Sequence, residues 1–210
     1  MIKNFVFDMG KILMDYESMR ACKAYIEDEA DQKEVCTALF VSPEWVQLDM
    51  GIISEEQALR QVCSRLPERL HESARLCLEN WDKKCMWQIE EMKPILRRLK
   101  QEGFGLYICS NASMRLPAKW KSLIPEAELF DGALFSSEVL CMKPQKEMYQ
   151  HFFSRFSLKP EECFFIDDLR INIEGARACG MDGYCHDDGD VSHLDAVLKE
   201  IEKKNLPVEK

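Results

Sequence analysis

The sequence predicts an α/β fold, a parallel sheet covered by helices on both faces, with a small helical cap inserted after the first strand. Three observations carry that prediction. Short apolar runs recur at Ile2 to Phe7, Gly105 to Cys109, Gly132 to Phe135, Cys163 to Ile166 and Met181 to Cys185, and most are rich in Phe, Ile or Val, as strands buried on both faces are. Segments of helical periodicity lie between the later four, and strands alternating with helices make a parallel sheet. The stretch from about Glu17 to Trp87 contains no convincing strand.

Taken in chain order, the first run forms a strand ending in Asp8. The following stretch carries a capping-box signature at Ser54 with Gln57, a Pro67 suited to a helix's first turn, and apolar spacing through Leu59, Val62, Cys63 and Leu66, which predicts helices. A core of residues 1–16 and 88–210 and a helical cap of residues 17–87 follow. Residues 88 to 101 read as a helix stopped by Gly103, and the last helix places Leu194, Val197, Leu198 and Ile201 on one face. Leu206 to Lys210 read as a frayed tail. No repeat, low-complexity tract or Pro/Ser-rich linker separates the two parts, which predicts a shared interface.

With 210 residues, 46% of them apolar and 31% charged, the chain can bury a sizeable core, and disordered or fibrous classes are excluded. Its 28 basic and 37 acidic residues leave a net charge of −9, whose field repels nucleic acid and anionic membrane. Neither a signal-peptide core nor an apolar run long enough to span a bilayer is present, so a soluble, unexported, cytoplasmic protein is expected. Ten scattered cysteines without a Cys-x-x-Cys pair read as reduced thiols, several of them small core residues.

In an open α/β sheet, ligands bind at the carboxyl ends of the strands. Asp8 ends the first run, Ser110-Asn111 the second and Asp167-Asp168 the fourth, while Lys143-Pro144 follows the third after a loop. Singly, Asp8 suits a turn cap, Ser110-Asn111 a loop start, and a lysine before proline a solvated surface. Two adjacent acids raise one another's pKa unless a cation neutralises them, and a hard divalent ion such as Mg²⁺ is a natural partner.

The order Asp8-Met9-Gly10-Lys11-Ile12-Leu13, helical insertion, Ser110-Asn111, Lys143-Pro144, Phe164-Phe165-Ile166-Asp167-Asp168 resembles the haloacid dehalogenase (HAD) superfamily of hydrolases over nearly the whole chain. Gly51-Ile52-Ile53-Ser54-Glu55-Glu56 looks like a recurrent cap segment, and Asp167-Asp168 through Asn172-Ile173-Glu174-Gly175-Ala176 like the extended fourth motif. The resemblance implies a Rossmann-like core, Mg as cofactor, and a phosphatase acting on a small phosphorylated metabolite through an aspartyl-phosphate intermediate. Carried over, Asp8 is the nucleophile. Ser110 binds the phosphoryl group, helped by the backbone N–H of Asn111 or Ala112, and Lys143 pairs with both Asp8 and phosphate. Asp8, the Gly10 carbonyl and Asp168 hold the metal, with Asp167 as ligand or behind the ligands, and Asn172 orienting the acid pair. Dehalogenases of the superfamily lack the acid pair, so metal-dependent phosphate chemistry is preferred.

Two positions depart from the pattern. Phosphatases of this type carry a second Asp two residues after the nucleophile to protonate the leaving oxygen, and Gly10 stands there; such help is worth about 10²–10⁴ in rate. Small bacterial members of the Asp-x-Gly form act on sugar phosphates, glucose 1-phosphate among them. Lys11 stands where Gly or Asn is usual and is expected to face solvent, and Asp15 is a distant candidate for the missing acid. The alternative reading is a weak or inactive phosphate- and metal-binding regulatory protein. Trp45, Trp81 and Trp87 could pack or stack on substrate, and the run from His186 to Asp190 reads as a polar turn rather than a second metal site.

Overall fold

The computed structural model describes residues 1–205, so the tail expected to fray at 206–210 lies outside the described residues. β1 (Asn4–Phe7) is buried throughout and leads through a turn into β2 (Met14–Tyr16). The helical insertion follows as α1 (Met19–Tyr25), α2 (Glu29–Phe40), α3 (Pro43–Asp49), α4 (Glu55–Cys63) and α5 (His71–Lys84). β3 (Met86–Gln88) then returns antiparallel to β2. The rest alternates: α6 (Met92–Gln101), β4 (Gly105–Ser110), α7 (Trp120–Leu123), β5 (Gly132–Phe135), α8 (Ser136–Val139), α9 (Lys146–Phe156), β6 (Cys163–Asp167), α10 (Arg170–Ala178), β7 (Asp182–Cys185) and α11 (Val191–Asn205).

The five long-range strands form one parallel sheet in the order β5-β4-β1-β6-β7. β1 lies at its centre, and the chain leaves it first for one side and later for the other. That reversal opens a crevice at the carboxyl end of β1, where such sheets bind ligands. Side chains alternate along β1, so Phe5 and Phe7 join one core cluster while Val6 joins the cluster on the opposite face. The first cluster continues without a break into the insertion through Val35, Leu39, Ala58, Val62 and Leu78. Sheet and insertion therefore share one hydrophobic core.

Strands β2 and β3 correct the expected layout. No strand is visible in the sequence between Glu17 and Trp87, yet Met86 and Trp87 lie in β3, and α6 begins at Met92 rather than at residue 88. Three residues are too few to show alternation; pairing across the base of the insertion makes them a strand. Elsewhere local signals operate as written. Ser54 Oγ accepts from Gln57 N–H at 3.1 Å while Gln57 Oε1 accepts from Ser54 N–H at 2.8 Å, closing the capping box of α4. All ten cysteines are free, and six of them are buried.

Polar ties also fasten the insertion to the sheet. Arg115, on the loop after β4, donates to Asp82 of α5 at 2.9 Å and pairs with Glu55 of α4, and Lys119 reaches the same Asp82 at 2.6 Å. At the far side of the junction Gly51 adopts φ +73°, and a Cβ there would lie 2.6 Å from the Ser137 carbonyl oxygen. Among the described residues no helix is long and apolar enough to cross a membrane. Gly51→Ala meets both a left-handed backbone and a backbone collision, so it is expected to destabilise the protein by more than about 1 kcal/mol, read as a lower urea midpoint at unchanged slope; an unchanged midpoint would show that the junction yields freely.

Candidate active site

Three neighbouring strands deliver the site. β1 runs out into Asp8, β4 ends on Ser110, and β6 ends on Asp167 with Asp168 next. The Asp8 N–H donates to Ile166 O at 2.8 Å, extending the β1–β6 ladder and fixing where its side chain emerges. Lys143 enters on the loop between α8 and α9. Its Nζ donates to Asp167 Oδ2 at 2.6 Å and lies 2.9 Å from Asp8 Oδ1. Lys143 is 2% exposed and Asp167 0%, so both charges are held in the interior.

Burial decides the electrostatics. It lifts the Asp8 carboxyl above its usual range, Lys143 pulls it down, and Asp167 pushes it up again. Burial alone would lower the Lys143 pKa, but Asp167 and Asp8 outweigh it and hold the ammonium firmly charged. Asp168 is pushed up to about 6 by burial and then by the charges of Asp8 and Asp167. One lysine thus faces three acids, and the carboxylates of Asp8, Asp167 and Asp168 each offer an oxygen within 4.8 Å of the others. That donor set suits a hard divalent cation.

The two adjacent acids differ. Asp167 accepts from Lys143 Nζ, from Leu169 N–H at 2.8 Å, and from Asn172 Nδ2 at 3.0 and 3.1 Å. Both of its oxygens already accept hydrogen bonds within the protein, whereas Asp168 is partly exposed at the rim. Asn172 is held in turn, since Tyr149 Oη donates to its carbonyl at 2.6 Å. Gly175, one turn further along α10, passes so near the lysine loop that a Cβ would meet the Pro144 carbonyl at 2.8 Å. The fourth-motif residues therefore hold the buried Lys143–Asp167 pair in place.

Asn111 has a role that its sequence position does not reveal. Its Oδ1 accepts from Lys143 N–H at 2.8 Å and its Nδ2 donates to Lys143 O at 3.0 Å, clasping the lysine's main chain like a neighbouring strand. Of the two amides expected to assist Ser110, that of Ala112 is engaged, donating to Ser136 Oγ at 2.9 Å. That corrects the expectation for Ala112 and leaves the Asn111 amide. Lys11 is exposed, as expected, at φ 60°, the left-handed conformation that favours the Gly or Asn usual there. It pairs with Asp15. Burial would raise the Asp15 pKa, but Lys11 and the Tyr16 N–H lower it, so Asp15 stays ionised and cannot stand in as an acid.

Between sheet and insertion lies a cavity of about 150 Å³. Gly10, Ser110 and Asn111 form its floor, and Met14, Tyr16, Trp45, Trp81, Met86 and Leu116 its walls. Trp45 and Trp81 meet edge to face at 5.2 Å, while Trp87 sits outside with Arg20 over its ring. The Tyr16 hydroxyl is buried without a partner. Asp49, at the end of α3, also lines the cavity; burial pushes it up to about 7, opposed by the Ser113 N–H and reinforced by Asp8. Nothing in the sequence singles Asp49 out, because its importance comes from facing a residue far away in the chain. His186 is buried with Nδ1 3.5 Å from Asp188 and packs behind the rim.

Comparison with known proteins agrees with this geometry. Residues 2–180 match the family model of the haloacid dehalogenase-like hydrolases. A sesquiterpene phosphatase of Aspergillus oryzae is 26% identical over 181 residues, 86% of this chain and 88% of its own. A HAD-like family hydrolase from Porphyromonas gingivalis superposes with a TM-score of 0.68 at 25% identity, over 96% of this chain and 98% of its own. A HAD family enzyme from Bacteroides thetaiotaomicron, solved as an aspartate-to-alanine mutant with magnesium and inorganic phosphate, superposes with a TM-score of 0.70 at 20% identity, over 92% and 99%.

Removing the buried cation should leave two acids uncompensated. Lys143→Met is expected to cost about 3–5 kcal/mol at neutral pH, and adding Asp167→Asn should recover part of it. Urea unfolding checks both, and a single mutant as stable as wild type would show that the cation does not hold the site together.

Proposed function

The chain belongs to the haloacid dehalogenase-like hydrolase family, and from that membership we propose that it is a metal-dependent phosphatase acting on a small phosphomonoester, with Asp8 as nucleophile. The observation that carries this reading is Asp8 itself. It stands at the carboxyl end of the central strand with its Oδ1 buried against Lys143 Nζ at 2.9 Å, while the side chain keeps 13% exposure. The carboxyl is thus held through one oxygen and still reaches the crevice with the rest of its surface.

The donor set fits a magnesium ion, which Asp8, Asp168 and the Gly10 carbonyl would hold, with Asp167 behind them. When bound, the ion supplies positive charge beside the transferring phosphoryl group. The chain's own residues do the remainder. Asp8 attacks phosphorus in line, the bond to the alcohol oxygen breaks, and water later cleaves the aspartyl phosphate. Ser110 Oγ and the Asn111 amide hydrogen-bond the phosphoryl oxygens, and Lys143 places a fixed cation where their negative charge accumulates. Lys143 is already charged and buried before substrate arrives, so no reorganisation is needed.

The cavity supports a substrate class. Its volume of about 150 Å³ matches cavities that accept benzene, and its walls are aromatic and thioether side chains without a lysine, arginine or histidine. An apolar or aromatic alcohol fits such walls better than the sugar that the Asp-x-Gly form implies. The match to a sesquiterpene phosphatase supports the same direction. A phosphate- and metal-binding protein without turnover is the second reading, favoured by Gly10.

With Mg²⁺ present, phosphate release is expected from p-nitrophenyl phosphate and benzyl phosphate, lost in Asp8→Asn and in excess EDTA. Persistent release in EDTA would overturn the metal assignment, and no release from folded wild type would favour the second reading. The specificity constant should be higher for benzyl phosphate than for glucose 1-phosphate, and the reverse order would return the substrate class to sugars.

A further inference from the structure

We propose that Asp49, contributed by the helical insertion, is the catalytic residue that protonates the leaving alcohol in place of the acid absent at Gly10. This rests on the phosphatase reading above and adds the proton that reading leaves unassigned.

Three independent observations converge on Asp49. It is the one carboxyl group among the residues lining the cavity, which Gly10, two residues after Asp8, and Ser110 also line, so an alcohol held in that cavity by a phosphoryl group on Asp8 shares it with Asp49. The main chain there is pinned to the sheet: Ser136 Oγ donates to the Asp49 carbonyl oxygen, and Gly51 packs against Ser137. The carboxyl also has no cationic partner among the described ion pairs, in contrast to Asp15, which Lys11 occupies. Burial keeps a share of it protonated near neutral pH, the condition in which a carboxyl gives up a proton efficiently. Asp8 beside Lys143 and Asp49 without a cation have different surroundings, and such a pair divides into nucleophile and proton donor.

The step balances. An Asp8 carboxylate oxygen forms a bond to phosphorus, the bond from phosphorus to the alcohol oxygen breaks, and its electron pair goes to that oxygen, which takes the Asp49 proton and leaves as the alcohol. Water then attacks the aspartyl phosphate and gives its proton to the Asp49 carboxylate. Phosphate departs, and both acids are restored.

Asp49→Asn keeps the shape and an acceptor for the Ser113 N–H but has no proton to give. In single-turnover mixing with Mg²⁺, the variant is expected to release benzyl alcohol from benzyl phosphate about 10²–10⁴-fold more slowly than wild type. It should release p-nitrophenol, whose oxygen needs no acid, at nearly the wild-type rate, as a burst followed by slow turnover. Gly10→Asp should restore the benzyl rate in the same background, since a Cβ at residue 10 meets nothing within 4 Å. Equal slowing of both substrates, no slowing of either, or failure of Gly10→Asp to rescue a variant that melts like wild type would overturn the proposal. Wild type that releases phosphate from neither substrate would instead overturn the phosphatase reading on which it stands.

Discussion

A single buried ammonium organises this molecule. Lys143 Nζ sits between Asp8 and Asp167 with almost no access to water, and an isolated charge in that position is untenable. The surrounding structure answers that cost. Asn111 clasps the lysine's main chain, Asn172 and the Leu169 N–H complete the coordination of Asp167, and Gly175 lets α10 press against Pro144. These residues come from the loop after β4 and from α10 with the residue before it, so the charge cluster forms only when both neighbours of β1 are in place. The same arrangement holds Asp8 through its Oδ1 against the ammonium, so the position of that carboxyl follows from how the charge is compensated.

The sheet and the insertion divide the labour. Strand ends supply the carboxylates and Ser110, because a strand terminus buried between neighbours fixes a side chain more firmly than a loop, and the loop that brings in Lys143 is clasped by Asn111. The insertion supplies the apolar wall through Trp45 and Trp81 and is held over the sheet by Arg115, Lys119 and the short β2–β3 pair. The hydrophobic core is continuous across this junction. On the phosphatase reading, the insertion would meet the alcohol part of the substrate while the sheet edge would bind its phosphoryl group.

How much of this was legible in the sequence depends on how local each cause is. The five sheet strands show themselves as apolar runs, and α4 announces its start through Ser54 and Gln57, because burial on both faces and capping are written in consecutive residues. Asp8, Ser110, Lys143 and the Asp167-Asp168 pair stood out because each follows a strand or motif of recognisable order. The β2–β3 pair, the Asn111 clasp and the engagement of Ala112 by Ser136 did not, because each is a contact between residues far apart in the chain. Asp49 carries no sequence signal for the same reason. Its neighbours in sequence are unremarkable, and only the fold brings it into one cavity with Gly10.

Loop geometry explains why an acid would have to come from across the cavity at all. After Asp8 the chain turns through Gly10 and a left-handed Lys11, whose ammonium then captures Asp15. That capture holds the Asp15 carboxyl below its ordinary pKa, so the carboxyl nearest in sequence is committed to the charged form. A glycine at residue 10 also leaves open space where a Cβ would stand. What the loop no longer provides, the half-buried Asp49 carboxyl, which lines the same cavity without a cationic partner among the described residues, is placed to supply.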